Sequence, residues 1–560
     1  MGFLAPTLPP YDPEAWARSP FPDRARAVCQ AWAAQGYGAP VAVYLAYVLK
    51  VGLYVGGWLA WCWATPALGG PSTIAGWWAH PVAFEKAILW SMLYEGLGLG
   101  CGSGPLTGRY LPPVGGALYF ARPKTTRLPP WPRLPGTAGH RRTVVDVALY
   151  LAIIGALLVG LAAAAPPRAA LLVIAAGVPV LGLRDRTTFL AFRSEHYWLT
   201  VVVLAATPTP VAGAKAIQLA LWGWAGVSKL NHHFPSVVCV MISNSPVARW
   251  GWLRRAMYRA APDDLRPSRL ATGMAHAGTA LELAVPLVLG LASGGTGLVV
   301  GLVLMVVLHA FITVHVPMGV PLEWNVMVVY GGFALFGAHP DVSVAQAITP
   351  DWVGLVVAAV VVVPLIGNLA PRWVSFLPSM RYYAGNWAWS VWLFRGDAHR
   401  KLEALTKSSA WPHEQLARLY PGSAPAAMMS LVMGFRLMHL HGRALPQLVP
   451  QAVDDPAAYQ WADGELVAGL ALGWNFGDGH LHHGQLLAAI QAQCGFAPGE
   501  LRCIFGESEA AGAGTLPYQI VDAATGPLTA GTVAVADLRG RQPWGAVVDP
   551  GPAGSVAYPR

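Results

Sequence analysis

Apolar stretches of bilayer-spanning length recur along the first two thirds of this chain, and nothing constrains its fold more. They cover residues 41–63, 82–100, 144–164, 169–183, 188–206, 211–230, 270–291, 296–316, 324–337 and 352–369. A spanning helix needs about 20 residues, so the reading is about ten spans, the fourth and ninth being short. The loops support it. Residues 121–142 carry Arg122, Lys124, Arg127, Arg133, Arg141 and Arg142 and no acid, and residues 247–269 carry six arginines against Asp263 and Asp264. Residues 64–80, 207–210 and 293–295 carry no formal charge. Basic and neutral loops alternate as positive-inside topology requires, which puts both termini in the cytoplasm.

Composition closes off other classes. Only 12% of the 560 residues are charged and 55% are hydrophobic, with mean hydropathy +0.45. A soluble chain of this length cannot cover its surface with half the usual share of charge. The same numbers exclude disorder and a disulfide scaffold. The net charge of +9 fits cytoplasmic loops, and no basic stretch is interleaved with aromatics as in nucleic-acid binders. No Cys-x-x-Cys pair and no cleavable signal peptide are present.

The expected fold is an all-α polytopic membrane bundle followed by a small C-terminal α+β soluble domain. Residues 1–40 form an N-terminal arm with an interfacial helix presenting Val28 and Trp32, and residues 41–370 form the membrane domain. Residues 371–395, with Tyr382, Tyr383, Trp387, Trp389 and Trp392 between arginines, suit the headgroup level. The soluble domain covers 396–548, with helices at 398–419, 426–440 and 485–494 and strands at 501–505, 518–522 and 532–537. Residues 549–560 are a loose tail.

Ionisable groups inside spans are costly and carry a functional hypothesis by default. They gather from the fifth to the ninth span: Arg193, Glu195 and His196; Lys229, followed by Asn231, His232 and His233; His276 and Glu282; His309 and His315; Glu323 and Asn325. If these helices pack together, a dehydrated Lys229 amine becomes a base at neutral pH, with histidines as proton relays or oxyanion partners. The alternative is a set of snorkelling side chains and satisfied interhelical pairs.

The stretch Trp224-Ala-Gly-Val-Ser-Lys-Leu-Asn-His-His-Phe234 resembles the Ala-Gly-Val-Lys-Lys-Leu segment of vitamin K-dependent gamma-carboxylase and the related bacterial horizontally transferred transmembrane domain proteins. Arg193-Ser-Glu-His-Tyr-Trp-Leu199, His276-Ala-Gly-Thr-Ala-Leu-Glu-Leu283, and His315 with Leu322-Glu-Trp-Asn-Val-Met-Val-Val-Tyr330 resemble further segments in the same order, over about residues 185–340. The resemblance implies that Lys229 is the catalytic base, that His196 and His315 belong to the reaction site, and that the cofactor is a prenylated quinol. Ser228 stands where that family has the first lysine of its pair. The opening Met1-Gly-Phe-Leu-Ala-Pro and Gly98-Leu-Gly-Cys-Gly-Ser-Gly-Pro105 also resemble an actinobacterial membrane family of unknown function.

Two more motifs stand out. Residues 96–108 are glycine-dense and end beside Arg109. They follow a helix, which excludes a P-loop, and leave either an anion-binding helix end or a tight packing bend. Asp478, His480 and His482 offer metal ligands on an extended segment, against a histidine-rich turn without metal.

The sequence therefore supports three functions. The first is a gamma-carboxylase-like membrane enzyme acting on an isoprenoid or other lipid, with Lys229, His196, His315, Glu195, Glu282 and His276 catalytic and Arg109, Asn231, His232, Glu323 and Asn325 binding substrate. The second is a membrane terpene cyclase on a prenyl diphosphate, whose carbocations 24 tryptophans could face. The third is a non-catalytic lipid-binding or transport protein.

Overall fold

The computed structural model describes residues 2–100, 111–112, 114–315, 322–474 and 479–545, side chains of 479–483 excepted. Arg109 and Asp478, and the side chains of His480 and His482, lie outside the described residues. The backbone around the two histidines is helical, Gly479–Cys494, so the alternation argued for an extended segment does not apply there.

Among the described residues five helices are long and apolar enough to cross a membrane: Val41–Trp63, Val144–Ala162, Arg269–Leu291, Gly295–His315 and Trp352–Leu369. Shorter helices pack among them, including Pro81–Gly96, Arg168–Arg184, Val211–Ser228 and Leu322–Gly331. The expectation of about ten full-length spans is thus met by five. One reason is visible in the stretch expected as a single span at 188–206. It breaks into Arg186–Ala191, a π-helical turn Ser194–Trp198 and Leu199–Ala206, with Arg193 left-handed at φ 49° between the first two.

Buried lysines and acids in the bundle tie helix ends. Lys86 donates to Leu161 O at 2.6 Å and Ala163 O at 2.8 Å, where helix 144–162 runs out of partners. Lys215 does the same for His339 O at 2.7 Å and Val342 O at 2.6 Å. Terminal carbonyls inside a bundle need such donors. Of the glycine-dense stretch, residues 96–100 are described, and they pack closely. At Gly98, φ +76°, a Cβ would lie 2.5 Å from the backbone N of Gly116.

The described residues form seven strands. A hairpin, β1 Tyr258–Ala260 and β2 Asp264–Pro267, lies in the second basic loop. The C-terminal domain holds β3 Trp389–Arg395, β4 Tyr459–Asp463, β5 Leu501–Gly506, β6 Thr515–Asp522 and β7 Gly526–Ala534. They form one antiparallel sheet in the order β4-β3-β5-β6-β7.

This sheet corrects the interfacial reading of residues 371–395. Trp389 and Trp392 are buried in β3, whose six leading residues are all covered, and Trp387 is buried just before it. Aromatic and β-branched residues favour a covered strand as readily as a headgroup belt. The sheet domain therefore begins at Trp389 rather than 396. The helix expected at 398–419 is two short pieces, Ala398–Ala404 and Pro412–Ala417, because Pro412 starts a new helix. The strand expected at 532–537 ends at Ala534 and turns into helix Val535–Gly540.

The N-terminal arm is corrected in the same way. Val28, Cys29 and Trp32 of helix Phe21–Gln35 are fully buried, sharing a core with Leu431 and Phe435 of helix Ala424–Met438. Trp32 and Phe435 have ring centroids 5.6 Å apart. Arm, sheet domain and both basic loops thus meet at one end of the bundle. Arg141 reaches Gln493, Arg186 reaches Gln485, and Asp264 accepts from Gln542.

Candidate functional site

Between helix 352–369 and β3 the chain threads the seam where the bundle meets the sheet domain. It is strained there: Met380 and Tyr383 adopt φ 52° and 44°, and Gly385 φ 83°. Left-handed non-glycine residues cost energy and cluster where position matters. A Cβ on Gly385 would sit 2.9 Å from Cβ of His233, so only glycine lets the strands of chain approach this closely. Tyr382 and Tyr383 point to two different polar clusters.

The first cluster lies among membrane helices, around the indole of Trp324. Tyr382 packs on that ring at 4.9 Å and donates to Glu195 Oε1 at 3.2 Å. Arg193 donates from Nε to the same oxygen at 2.8 Å, and its guanidinium lies 5.2 Å over Trp324. His196 meets Trp324 edge to face at 6.2 Å. The left-handed Arg193 and the π-turn after it bring Arg193, Glu195 and His196 to this indole together; π-turns often mark functional sites. Glu195 Oε2, His196 Nδ1, Trp324 Nε1 and Glu323 Oε2 are buried without a hydrogen-bond partner. Glu323 has Lys50 at 3.8 Å on its other oxygen.

Next to it, His309 is fully used. It accepts from Trp222 Nε1 at 2.9 Å on Nε2, so Nδ1 carries the proton and donates to Asn325 Oδ1 at 2.7 Å. Asn325 therefore holds a histidine that the sequence ranking passed over.

Lys229 is buried at the end of helix 211–228, and its ammonium is bonded to Glu282 and lies 5.5 Å from the Phe234 ring. The partner of Lys229 is thus a carboxylate rather than one of the neighbouring histidines, and it compensates the ammonium charge. His276, one turn and a half earlier on helix 269–291, is exposed on the outer face, away from the site. His315 is half-buried at its helix end, stacked on Phe311 at 4.4 Å and bonded to Phe311 O at 2.9 Å. His232 is exposed. Asn231 forms an Asx turn just ahead of helix 234–244, accepting from His233 N at 2.7 Å and Phe234 N at 3.0 Å. Asparagine is favoured in such turns, which gives Asn231 a local structural role.

The second cluster lies in the sheet domain. His233 donates from Nε2 to Glu509 Oε2 at 3.1 Å, and its Nδ1 is buried and open. His439 donates from Nδ1 to Phe435 O at 2.7 Å and accepts from Tyr383 at 3.3 Å. His441 donates to Gly385 O at 3.0 Å. Arg436, fully buried, gives Asp463 two bonds at 2.7 and 2.9 Å. Burial pushes His233 below its ordinary range, His439 down to about 3 and His441 well below, with Arg436 adding to the last two. All three are neutral imidazoles. The signal for them was the His439-Leu-His441 pair, passed over for His480-Leu-His482. Nothing in the spacing separates His233 from His232.

Among the described residues no group of three His, Cys, Asp or Glu is placed to hold a metal ion. No curated protein and no solved structure matches the chain. Over residues 1–554 the sequence matches a family model described as transmembrane protein of unknown function (DUF3556), and the chain belongs to that family.

Proposed function

We propose that the chain is an integral membrane enzyme that moves a proton on an isoprenoid or other lipid substrate bound beside Trp324. The observation that carries this reading is the set of open polar atoms there. Glu195 Oε2 is an acceptor, Trp324 Nε1 a donor and His196 Nδ1 a third site, all buried around one ring. Buried polar atoms in folded proteins are nearly always paired, so several unpaired ones in one place point to a ligand. A hydroxylated lipid matches them: its O–H donates to Glu195 and its oxygen accepts from the indole. A prenylated quinol has that group and an apolar chain suited to the surrounding helices.

Arg193 steadies the Glu195 charge, and His196 takes or returns the proton. The Lys229–Glu282 pair is a second proton-exchange site in the same bundle, in keeping with the lysine and histidine chemistry of the gamma-carboxylase-like class. The reading places the chain in a bacterial cytoplasmic membrane with both termini inside. Its support is that the arm, the sheet domain and both basic loops share one end of the bundle.

Untargeted lipid profiling of cells making wild type, His196→Phe or Lys229→Ala, fed prenyl quinol or prenyl diphosphate, tests it. A product present with wild type and lost with both variants is expected. A cyclised hydrocarbon from the diphosphate would instead mean a terpene cyclase. No change in any lipid relative to cells lacking the protein would leave a binding or transport protein and overturn the enzyme.

A further inference from the structure

Arg381 sits on the strained seam segment, between Met380 and Tyr382, and is 4% exposed. Its guanidinium makes one hydrogen bond, from Nη2 to Ser508 Oγ at 3.3 Å. Nε and Nη1 have no partner. Glu507 is the acid whose charge it feels, yet that carboxylate turns to the Ser508 backbone N–H at 2.8 Å and forms no ion pair with Arg381.

Other buried arginines without a carboxylate lean on backbone carbonyls. Arg254 donates to the carbonyls of Ala248, Ala34 and Ser245, and Arg443 to those of Leu538 and Arg541 with its Nε left open. Among the described residues only Arg381 has two guanidinium nitrogens that are both buried and without a partner. A buried cation with unused donors is costly unless something anionic joins it.

The neighbouring residue says what kind of molecule. Tyr382 is next in the chain and lies on Trp324 inside the bundle, so the unused guanidinium and the open atoms around Trp324 are joined by adjacent residues. We propose that Arg381, helped by Ser508, binds the oxyanion group, phosphate or carboxylate, of a ligand whose polar head also reaches the Trp324 cluster. This deepens the reading of the bundle as a lipid site by assigning the charge of the headgroup.

The test uses full-length protein in a neutral detergent, titrated calorimetrically with dodecyl phosphate, dodecanol and sodium phosphate. Wild type should bind dodecyl phosphate about tenfold or more tightly than dodecanol, and Arg381→Gln should lose about that factor. Saturation by sodium phosphate alone assigns the site to a free oxyanion; binding that requires the dodecyl chain assigns it to a lipid headgroup. Should Arg381→Gln not fold, Ser508→Ala serves, with affinity expected to drop about threefold. Equal binding of dodecyl phosphate and dodecanol, or unchanged affinity in the variant that folds, overturns the proposal. Binding of dodecyl phosphate in a protein that changes no lipid in cells overturns the enzymatic reading and leaves this one standing.

Discussion

The charge network under the first basic loop and the cluster around Trp324 bury ionisable groups to the same degree, and they close their hydrogen bonds in opposite ways. In the first, both oxygens of both acids are taken. Asp146 receives Arg127, Arg184 and Thr143, and Asp185 receives Arg142 and the N–H groups of Leu128 and Thr187. In the second, Glu195 and Glu323 each keep one oxygen open, as His196 and Trp324 keep a nitrogen. In the first network the open atoms, Arg142 Nε and Thr187 Oγ1, lie beside acids whose oxygens are all taken, whereas in the second the acids themselves keep an open oxygen.

Substitutions separate the two. Asp146→Ala strands Arg127 and Arg184 beneath the loop and should cost about 3–5 kcal/mol, read as a large fall in thermal midpoint in detergent. A small fall would mean that the network is dispensable and the contrast empty. Lys229→Met leaves Glu282 buried alone and should cost about 3 kcal/mol. The double variant Lys229→Met with Glu282→Leu should recover most of that while remaining inactive. Recovery of activity along with stability would make the pair purely structural.

Acid sharpens the comparison from the sheet side. The unfolded chain protonates His439 near 6.5, whereas the folded one does so only at about 3. Stability is therefore complete above pH 6.5 and falls as pH drops below it, by about 1.4 kcal/mol per unit for this residue. Unfolding midpoints between pH 7 and 5 should show a steeper decline in wild type than in His439→Gln, and parallel curves would refute the assignment. The smallest effect on stability belongs to the open cluster. His196 has no hydrogen bond on Nδ1 and touches Trp324 and Tyr197 only as a ring. His196→Phe should shift stability by less than about 1 kcal/mol and still abolish the lipid product. A stable variant with full product would remove His196 from the site.

The long apolar helices were legible because their pattern is local. Val41–Trp63 and Trp352–Leu369 begin and end where the runs do. The aromatic segment and the amphipathic arm were misjudged because a face that packs on protein reads like one that packs on headgroups. Trp32 and Trp392 carry no mark saying which surface will cover them. Glu195, His196, Glu282 and Lys229 were visible as charges out of place in apolar runs. Tyr382, Arg381, Ser508 and Glu509 were not, since they lie more than fifty residues beyond Glu323 in sequence and join the site only through the fold. The pairing of Glu282 with Lys229 also needed the packing of helices 211–228 and 269–291.

The most direct measurement is an electron-microscopic density map of the protein in nanodiscs of native bacterial lipid. Elongated density touching Glu195 Oε2, Trp324 Nε1 and His196 Nδ1, and running on among the apolar side chains, is the predicted result. Those three atoms satisfied by ordered water alone, or by one another, would contradict it.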